Sequence, residues 1–308
     1  MIKGSEDTRY TFPIGVIRVL ETKLLTKSHY DRLLAVSGEN EIMPALHDTT
    51  YGQFRDLAFE DVLEKVLEDR FQFLSRYCID PEIIELILLP KRIHNLKVEF
   101  KGKIREEDYQ DLLYEVEVGE IEGITDIIAQ FLETKDPFFL DTGLDRLELT
   151  TSIRLSCRFP FLKNYYELKA DLYNIASLIR LKRLGVGRKT ALMVLIPSSF
   201  DPEHLALLLE QEFDAIKDFF ARTPYHAVVA QGIDYLEKKN SFLRLERLID
   251  EELLRYMRKT RRFVFGVEPI FGYYTFLESE TTRLRRIYIG KRHRLPIEDI
   301  RESLPDVY

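Results

Sequence analysis

The chain of 308 residues is long enough for two domains or three small ones, and its 45% hydrophobic and 31% charged residues supply ample material for globular cores. A net charge of −7 argues against a general nucleic-acid binder, because the affinity of such proteins depends on neutralising phosphates. No run approaches the ~18–20 apolar residues that a membrane span requires.

The N-terminal part of the chain shows apolar residues at alternating spacings of three and four, the pattern of amphipathic helices. Short helices are predicted over 14–47, and a longer helix from Phe54 to Cys78. Asp80-Pro81 then opens a new helix, because proline suits the first helical turn and an aspartate before it can cap the helix. The first ten residues lack the apolar core of a signal peptide, so we expect a cytosolic protein or one bound to the cytosolic side of a larger structure.

The stretch 106–134 carries ten acidic side chains and no lysine or arginine. Gly119 and Gly123 interrupt it, and we predict a helix, a turn and the beginning of the next helix. The acidic surface is either one pole of an asymmetric charge distribution or a solubilising face.

Helical periodicity continues to the C-terminus, and only the short apolar run 191–196 is equally compatible with a strand. The chain is therefore predicted to be nearly all α-helix. The predicted helices here cover Leu144–Cys157, Pro160–Arg183, the segments opened by Asp201-Pro202 and Thr223-Pro224, Leu245–Met257 and Pro269–Lys291.

Three of the predicted helices share one pattern, which begins at Pro81, Pro160 and Pro269. Residues 5, 8, 15 and 19 positions after the proline are apolar in each copy, as one helical face requires. A lysine follows 22 positions after each proline, and a basic residue near a helix C-terminus is favoured by the helix dipole. At position 14 the copies carry Asn95, Asn174 and Arg283.

The distance between the copies is too long for solenoid repeats, so each copy predicts a small helical domain. We expect three such domains, 1–105, 106–189 and 190–308. Pro90 interrupts the first copy, and that helix is expected to kink or to split in two.

No enzyme site is predicted. The run Gly185–Thr190 has Arg188 where a phosphate-binding loop needs a glycine before its lysine, so a helix C-cap and a linker with solvated basic residues are expected. The acidic run 106–111 lacks the second acidic cluster that a helical magnesium-dependent enzyme requires. The six histidines lack metal-ligand spacing, and Cys78 and Cys157 are predicted to be buried small hydrophobes. We therefore expect no catalytic residue, no metal and no cofactor.

Basic residues cluster at the ends of the second and third copies and form a candidate interface. Complementary charge would speed and orient the association with a partner, although a solvated helix end explains the same pattern. The candidate interface residues are Arg180, Lys182, Arg183, Arg283, Arg285, Arg286, Lys291 and Arg292.

The whole chain resembles the C subunit of prokaryotic V-type rotary ATPases, the counterpart of the d subunit in eukaryotes. The C-terminal stretch GVEPIFGYYTFLESETTRLRRIYIGK (266–291) is the most distinctive part of the resemblance. The family usually reads E-x-x-N-(I/L)-R in this stretch, whereas this chain has Arg283 at the asparagine position. Further matching stretches are LLTKSHYDRLL (24–34), DTTYG (48–52), LDR (144–146), DLYNIASLIRLKR (171–183), LERLIDEELL (245–254) and the ending ESLPDVY (302–308).

This resemblance implies three similar helical domains around a pseudo-threefold axis, which together form a funnel. It implies a non-catalytic rotor adaptor between two partners, the central stalk and the membrane proteolipid ring. One copy per complex would lie at the cytoplasmic side of the membrane, without spanning it and without binding nucleic acid. The adaptor would transmit torque that couples ATP turnover to H⁺ or Na⁺ transport.

Two alternatives remain at this stage. One is a helical scaffold subunit of another assembly, which would share the architecture but not the partners. The other is an all-α enzyme with metal-dependent prenyl chemistry, which predicts binding of divalent metal.

Overall fold

The computed structural model describes residues 7–54, 56–106 and 108–306, and within these ranges the protein is all-α and contains no strand. The predicted fold class is confirmed, and the run 191–196 belongs largely to a helix. The helices are α1 (Thr11–Glu21), α2 (Lys27–Ala35), α3 (Ile42–Ala45), α4 (Phe59–Tyr77), α5 (Pro81–Arg105), α6 (Ile124–Thr134), α7 (Pro137–Leu155), α8 (Pro160–Leu184), α9 (Arg188–Val194), α10 (Pro202–Leu207), α11 (Phe213–Phe220), α12 (His226–Lys239), α13 (Leu243–Met257), α14 (Glu268–Arg292) and α15 (Ile297–Glu302).

The helices form two compact units. The first unit combines the two ends of the chain, up to Ile79 and from Ala227 onward, and the second unit is Asp80–His226. In the first unit α14 packs against α1, α4, α13 and α15. In the second unit α7 packs against α5, α6, α8 and α9. The predicted domains 1–105, 106–189 and 190–308, and their funnel arrangement, stay a prediction.

The three helices predicted as copies have the same length. α5, α8 and α14 are each 25 residues long, and each has a proline at its first or second position. Proline is tolerated there because its missing N–H would be unpaired in any case. The shared length and the shared start support a threefold internal repeat.

Pro90 does not split α5, which runs unbroken from Pro81 to Arg105. An internal proline deprives the carbonyl of Leu86, four residues earlier, of its helical donor. Residues on both sides of the proline are anchored, because Leu89 and Ile93 belong to the core that α5 shares with α6 and α7. Tertiary packing therefore holds the helix together across the missing hydrogen bond.

The asparagines at position 14 of the first two copies each bind the backbone of a single residue. The side chain of Asn95 accepts from the N–H of Tyr114 and donates to its carbonyl, both at 2.8 Å. Asn174 does the same with Ile196, at 2.9 and 2.8 Å. A planar amide offers one acceptor and one donor, so it satisfies both polar groups of a residue that lies outside any regular element.

Buried carboxylates one turn earlier make a second recurrent contact, in α8 and α14. Asp171 accepts from the Ser199 N–H at 2.9 Å and from the Tyr225 hydroxyl at 2.6 Å. Glu280 accepts from the Leu25 N–H at 2.5 Å and from the Tyr51 hydroxyl at 2.8 Å. The number of residues from Leu25 to Tyr51 equals that from Ser199 to Tyr225.

The segments between these donors match in further detail. Ile42 and Ile216 occupy equivalent positions and are fully buried, as are Leu46 and Phe220. Thr49 and Thr223 each donate a hydroxyl to the carbonyl three residues earlier, at 2.7 and 2.8 Å. The segments 25–51 and 199–225 therefore share one local structure, and α14 takes its partner segment from the beginning of the chain. The alignment of prolines alone did not reveal this.

Glu280 is unusual for an ionisable side chain, because it is only 2% exposed to solvent. Burial raises its pKa from 4.5 to about 7, although the Leu25 N–H, the Tyr51 hydroxyl and the charge of Arg283 each favour the ionised form. The carboxylate in turn contributes to raising the pKa of Tyr51, after burial, which is the larger cause.

The first testable prediction concerns the pH dependence of stability. The folded protein holds the Glu280 proton more tightly than the unfolded chain does. The stabilisation from this group is therefore complete below pH 4.5 and is lost as the pH rises through 7, by about 2–3 kcal/mol. We expect Glu280→Gln to remove this slope in urea unfolding measured from pH 4.5 to 8. Glu298→Gln, at an exposed position of the same unit, should leave the slope unchanged. Parallel curves for the wild type and Glu280→Gln would contradict the assignment.

A second prediction compares the two asparagine contacts. Asn174→Ala leaves the N–H and carbonyl of Ile196 without their partner in a fully buried position, and we expect it to lower the free energy of unfolding by about 3 kcal/mol. Asn95→Ala should cost less, because its contact with Tyr114 is only partly buried and water can replace the amide. Urea unfolding of both variants measures the difference, and an equal or larger loss for Asn95→Ala would contradict this account.

Candidate partner-binding site

The candidate interface residues of the second copy lie in the last turns of α8, as the sequence predicts. Lys182 donates to the carbonyl of Leu209 at 3.1 Å, whereas the side chain of Arg183 is exposed. Arg180 is half-buried one turn earlier. Gly185 ends the helix in a left-handed conformation, with φ of +67°, which confirms the predicted C-cap.

The segment after this cap differs from the predicted linker. Arg188 begins the short helix α9 and forms an ion pair with Glu203. Arg188, which was predicted to be solvated, is thus paired with the carboxylate of Glu203. The structure offers no glycine-rich phosphate loop in this segment.

The candidate interface residues of the third copy are mostly engaged inside the first unit. Arg285 contacts Glu60 of α4 at 2.7 Å, and Arg286 contacts Asp250 of α13 at 2.9 Å. The ammonium of Lys291 donates to the carbonyls of Leu34, in the last turn of α2, and Val36, just after it, each at 2.6 Å. These three side chains tie α14 to its neighbours, whereas Arg292 is exposed. Their role as a surface for a partner stays a prediction.

The partner of Arg286, Asp250, is a half-buried carboxylate. Burial raises the pKa of Asp250, and the charge and hydrogen bond of Arg286 oppose that rise. Arg286 also donates to the carbonyl of Ser303 at 2.7 Å. This arginine therefore joins α14 both to α13 and to the segment after α15.

Arg283 lies inside the unit, only 5% exposed. Its Nε donates to the Ser279 carbonyl at 3.1 Å, and its guanidinium carbon stands 4.9 Å from the centre of the Tyr30 ring. Its Nη1 is buried and has no hydrogen-bond partner. This residue is therefore not part of an exposed basic surface in this structure.

Two cavities within the first unit are lined by Arg283. The first has a volume of about 240 Å³ and also includes Thr22, Arg258 and Arg261 among its walls. Burial lowers the pKa of Arg258, and the charges of Arg261 and Arg283 lower it further. The second cavity has a volume of about 460 Å³ and includes Lys27. Both cavities are thus rich in positive charge.

The first half of the acidic stretch 106–134 does not form the helix that was predicted there. The segment from Asp108 to Gly123 is irregular except for a short turn at Gln110–Leu112, and only from Ile124 onward is the stretch helical. Closely spaced carboxylates repel one another, and the backbone of Tyr114 is held by Asn95 instead of by a helix. The prediction of a helix in the first half was wrong.

The cysteines also differ from expectation. Cys157 is exposed and Cys78 half-buried, so the prediction that both are buried was wrong. Each lies at the end of the helix before a repeat proline, where the chain turns at the surface. Within 7–54, 56–106 and 108–306, no group of three or more His, Cys, Asp or Glu side chains could hold a metal ion.

Hydropathy gives a further constraint on the described helices. None of those found between residues 7 and 306 combines the length and the apolar character needed to cross a membrane.

Comparison with known proteins agrees with the resemblance noted from the sequence. The C subunit of the V-type sodium ATPase of Enterococcus hirae is 24% identical, over 95% of this chain and 97% of its own length. The C subunit of the A-type ATP synthase of Methanocaldococcus jannaschii is 24% identical over 96% of this chain and 86% of its own, and that of Thermococcus gammatolerans is 26% identical over 90% and 85%.

A family model described as ATP synthase (C/AC39) subunit matches residues 13–303, which include every α-helix from α2 to α15. The match covers both units and all three repeat helices. The chain belongs to the ATP synthase (C/AC39) subunit family, whose members are non-catalytic subunits of rotary ATPases.

Proposed function

We propose that this protein is the adaptor between the central stalk and the membrane proteolipid ring of a V-type ATPase or synthase. The observation that carries the proposal is the family match over residues 13–303. One copy per complex, at the cytoplasmic side of the membrane, would turn with the rotor and transmit torque between ATP turnover and ion transport. The proposal covers both H⁺ and Na⁺ as the transported ion.

The contacts inside each unit support a mechanical role. An adaptor under torque has to resist bending, and buried hydrogen bonds to backbone give each segment one preferred position. Asp171 and Asn174 fix the segment after α8, and Glu280 fixes the N-terminal segment against α14.

The experiment that tests the proposal is co-purification. The tagged chain, incubated separately with a purified proteolipid ring and with purified central stalk, should retain both. Removing the chain from the complex should leave ATP hydrolysis by the soluble head but abolish its coupling to ion transport. Retention of neither partner, with a folded chain confirmed by circular dichroism, would favour a scaffold of another assembly.

A third prediction separates binding from stability among the basic residues. Lys189, in the first turn of α9, and Arg292 are exposed, so we expect their joint reversal to glutamate to weaken retention of the ring or the stalk with little change in the unfolding midpoint. Joint reversal of Arg285 and Arg286 instead places new carboxylates beside Glu60 and Asp250.

This second double variant should lower the free energy of unfolding, by about 2 kcal/mol or more, because each pair becomes a repulsion in a partly buried place. Urea unfolding and the retention assay, performed on both double variants, measure the two effects. If the exposed pair changes stability and the engaged pair changes only retention, the assignment of roles is reversed.

A further inference from the structure

The third repeat lacks the asparagine contact that the other two repeats make. Asn95 and Asn174 each form hydrogen bonds with the N–H and the carbonyl of one residue, and Arg283 lies at the equivalent position of α14. Because Leu25 corresponds to Ser199, the residue that corresponds to Ile196 is Thr22. Thr22 and Arg283 line the same cavity of about 240 Å³ and have no hydrogen bond to each other. A cavity therefore occupies the place of the asparagine contact.

Three arginines line this cavity, and the charges of Arg261 and Arg283 act on Arg258 against the opposing charges of Asp306 and Glu251. None of Arg258, Arg261 and Arg283 forms an ion pair within the ranges that the structure describes. Arg258 donates to the carbonyl of Asp306 at 2.7 Å, and Arg261 stands 5.0 Å from the centre of the Phe276 ring. The Nη1 of Arg283, in a side chain that is 95% buried, has no acceptor at all.

The two carboxylates in the cavity wall are already engaged elsewhere. Glu21 forms an ion pair with Arg18 at 2.8 Å. Glu280 accepts from Leu25 and Tyr51, and its burial favours the neutral acid. The cavity wall thus holds three guanidinium groups whose like charges oppose one another, and an anion bound between them would relieve that repulsion.

We propose that this cavity is a binding site for a small oxyanion of the phosphate class, held by Arg258, Arg261 and Arg283. Guanidinium groups present donors in a planar fork that matches the oxygens of phosphate or sulfate. A volume of about 240 Å³ lies below the range of sites for drug-sized ligands, so it suits a free tetrahedral anion with water better than a nucleotide. The site is independent of the proposed contacts with the stalk and the ring.

A bound anion would give the third repeat a link of its own, between side chains. It would join α14, through Arg283, to the segment after α13, through Arg258 and Arg261. The anion would therefore stabilise the first unit by binding only the folded state. In the other two repeats the asparagine makes such a link permanent.

The test titrates the purified full chain with inorganic phosphate by calorimetry, with ionic strength held constant by sodium chloride. We expect one saturable site, and Arg261→Gln should weaken it about tenfold or more, because a charge-assisted contact is lost. The matched control is Arg262→Gln, which removes the same charge from the next residue, exposed and outside the cavity wall. The control should stay within about twofold of the wild type, since only general charge changes.

A second variant examines the buried arginine. Arg283→Asn gives α14 the side chain of its sister helices, and we expect it to abolish the rise in unfolding midpoint that phosphate causes in the wild type. Acetate serves as the probe for a carboxylate site. The proposal is overturned if phosphate does not bind saturably, if Arg261→Gln and Arg262→Gln weaken binding equally, or if acetate binds more tightly than phosphate. If Arg283→Asn fails to fold, the comparison of Arg261→Gln with Arg262→Gln still decides.

Discussion

Hydrogen bonds from buried polar side chains to the backbone of a distant segment are the constraint on which both units depend. The segments that Asn174 and Glu280 bind are not part of any sheet, so their buried N–H and carbonyl groups need partners from side chains. An unsatisfied group would cost more than the bond itself contributes. Each segment therefore has one position in which its polar groups are paired, and the hydrophobic residues around it pack in that position.

The need of buried polar groups for partners also applies to α14, which is not a simple amphipathic helix. It is covered by α1, α4, α13 and α15, so few of its positions face solvent. Glu268, Glu280, Thr281 and Arg283 are all buried together with its apolar residues. A helix enclosed on most sides needs partners for its charged side chains. The partners of Arg285 and Arg286 come from α4 and α13.

Much of the fold could be predicted because its determinants are local. A proline at the start, a basic residue at the end and apolar residues on one face define α5, α8 and α14 without reference to any other helix. The family assignment followed from stretches that are likewise continuous in the sequence. The irregular half of the acidic stretch was mispredicted, since nothing local shows that Asn95 holds Tyr114 outside a helix.

The candidate site was less predictable, because its properties depend on pairs of residues far apart in the chain. A run of arginines at a helix end has the same appearance whether it faces solvent or a carboxylate. Only the fold reveals that Glu60 lies beside Arg285 and that Arg283 is buried against Tyr30. The correspondence of 25–51 with 199–225 was hidden for the same reason, since the positions share burial and hydrogen bonding more than residue identity.

The closure of α14 onto the N-terminal segment has a mechanical consequence. A buried carboxylate joins residue 280 to residues 25 and 51 in one compact unit. Such long-range contacts require the closing of a large loop and form slowly. Once formed, they hold the segment 25–51 against α14, because separating the two exposes Glu280 and its donors together. The third copy thus depends on the whole chain, whereas Asp171 and Asn174 bind segments that follow α8 directly.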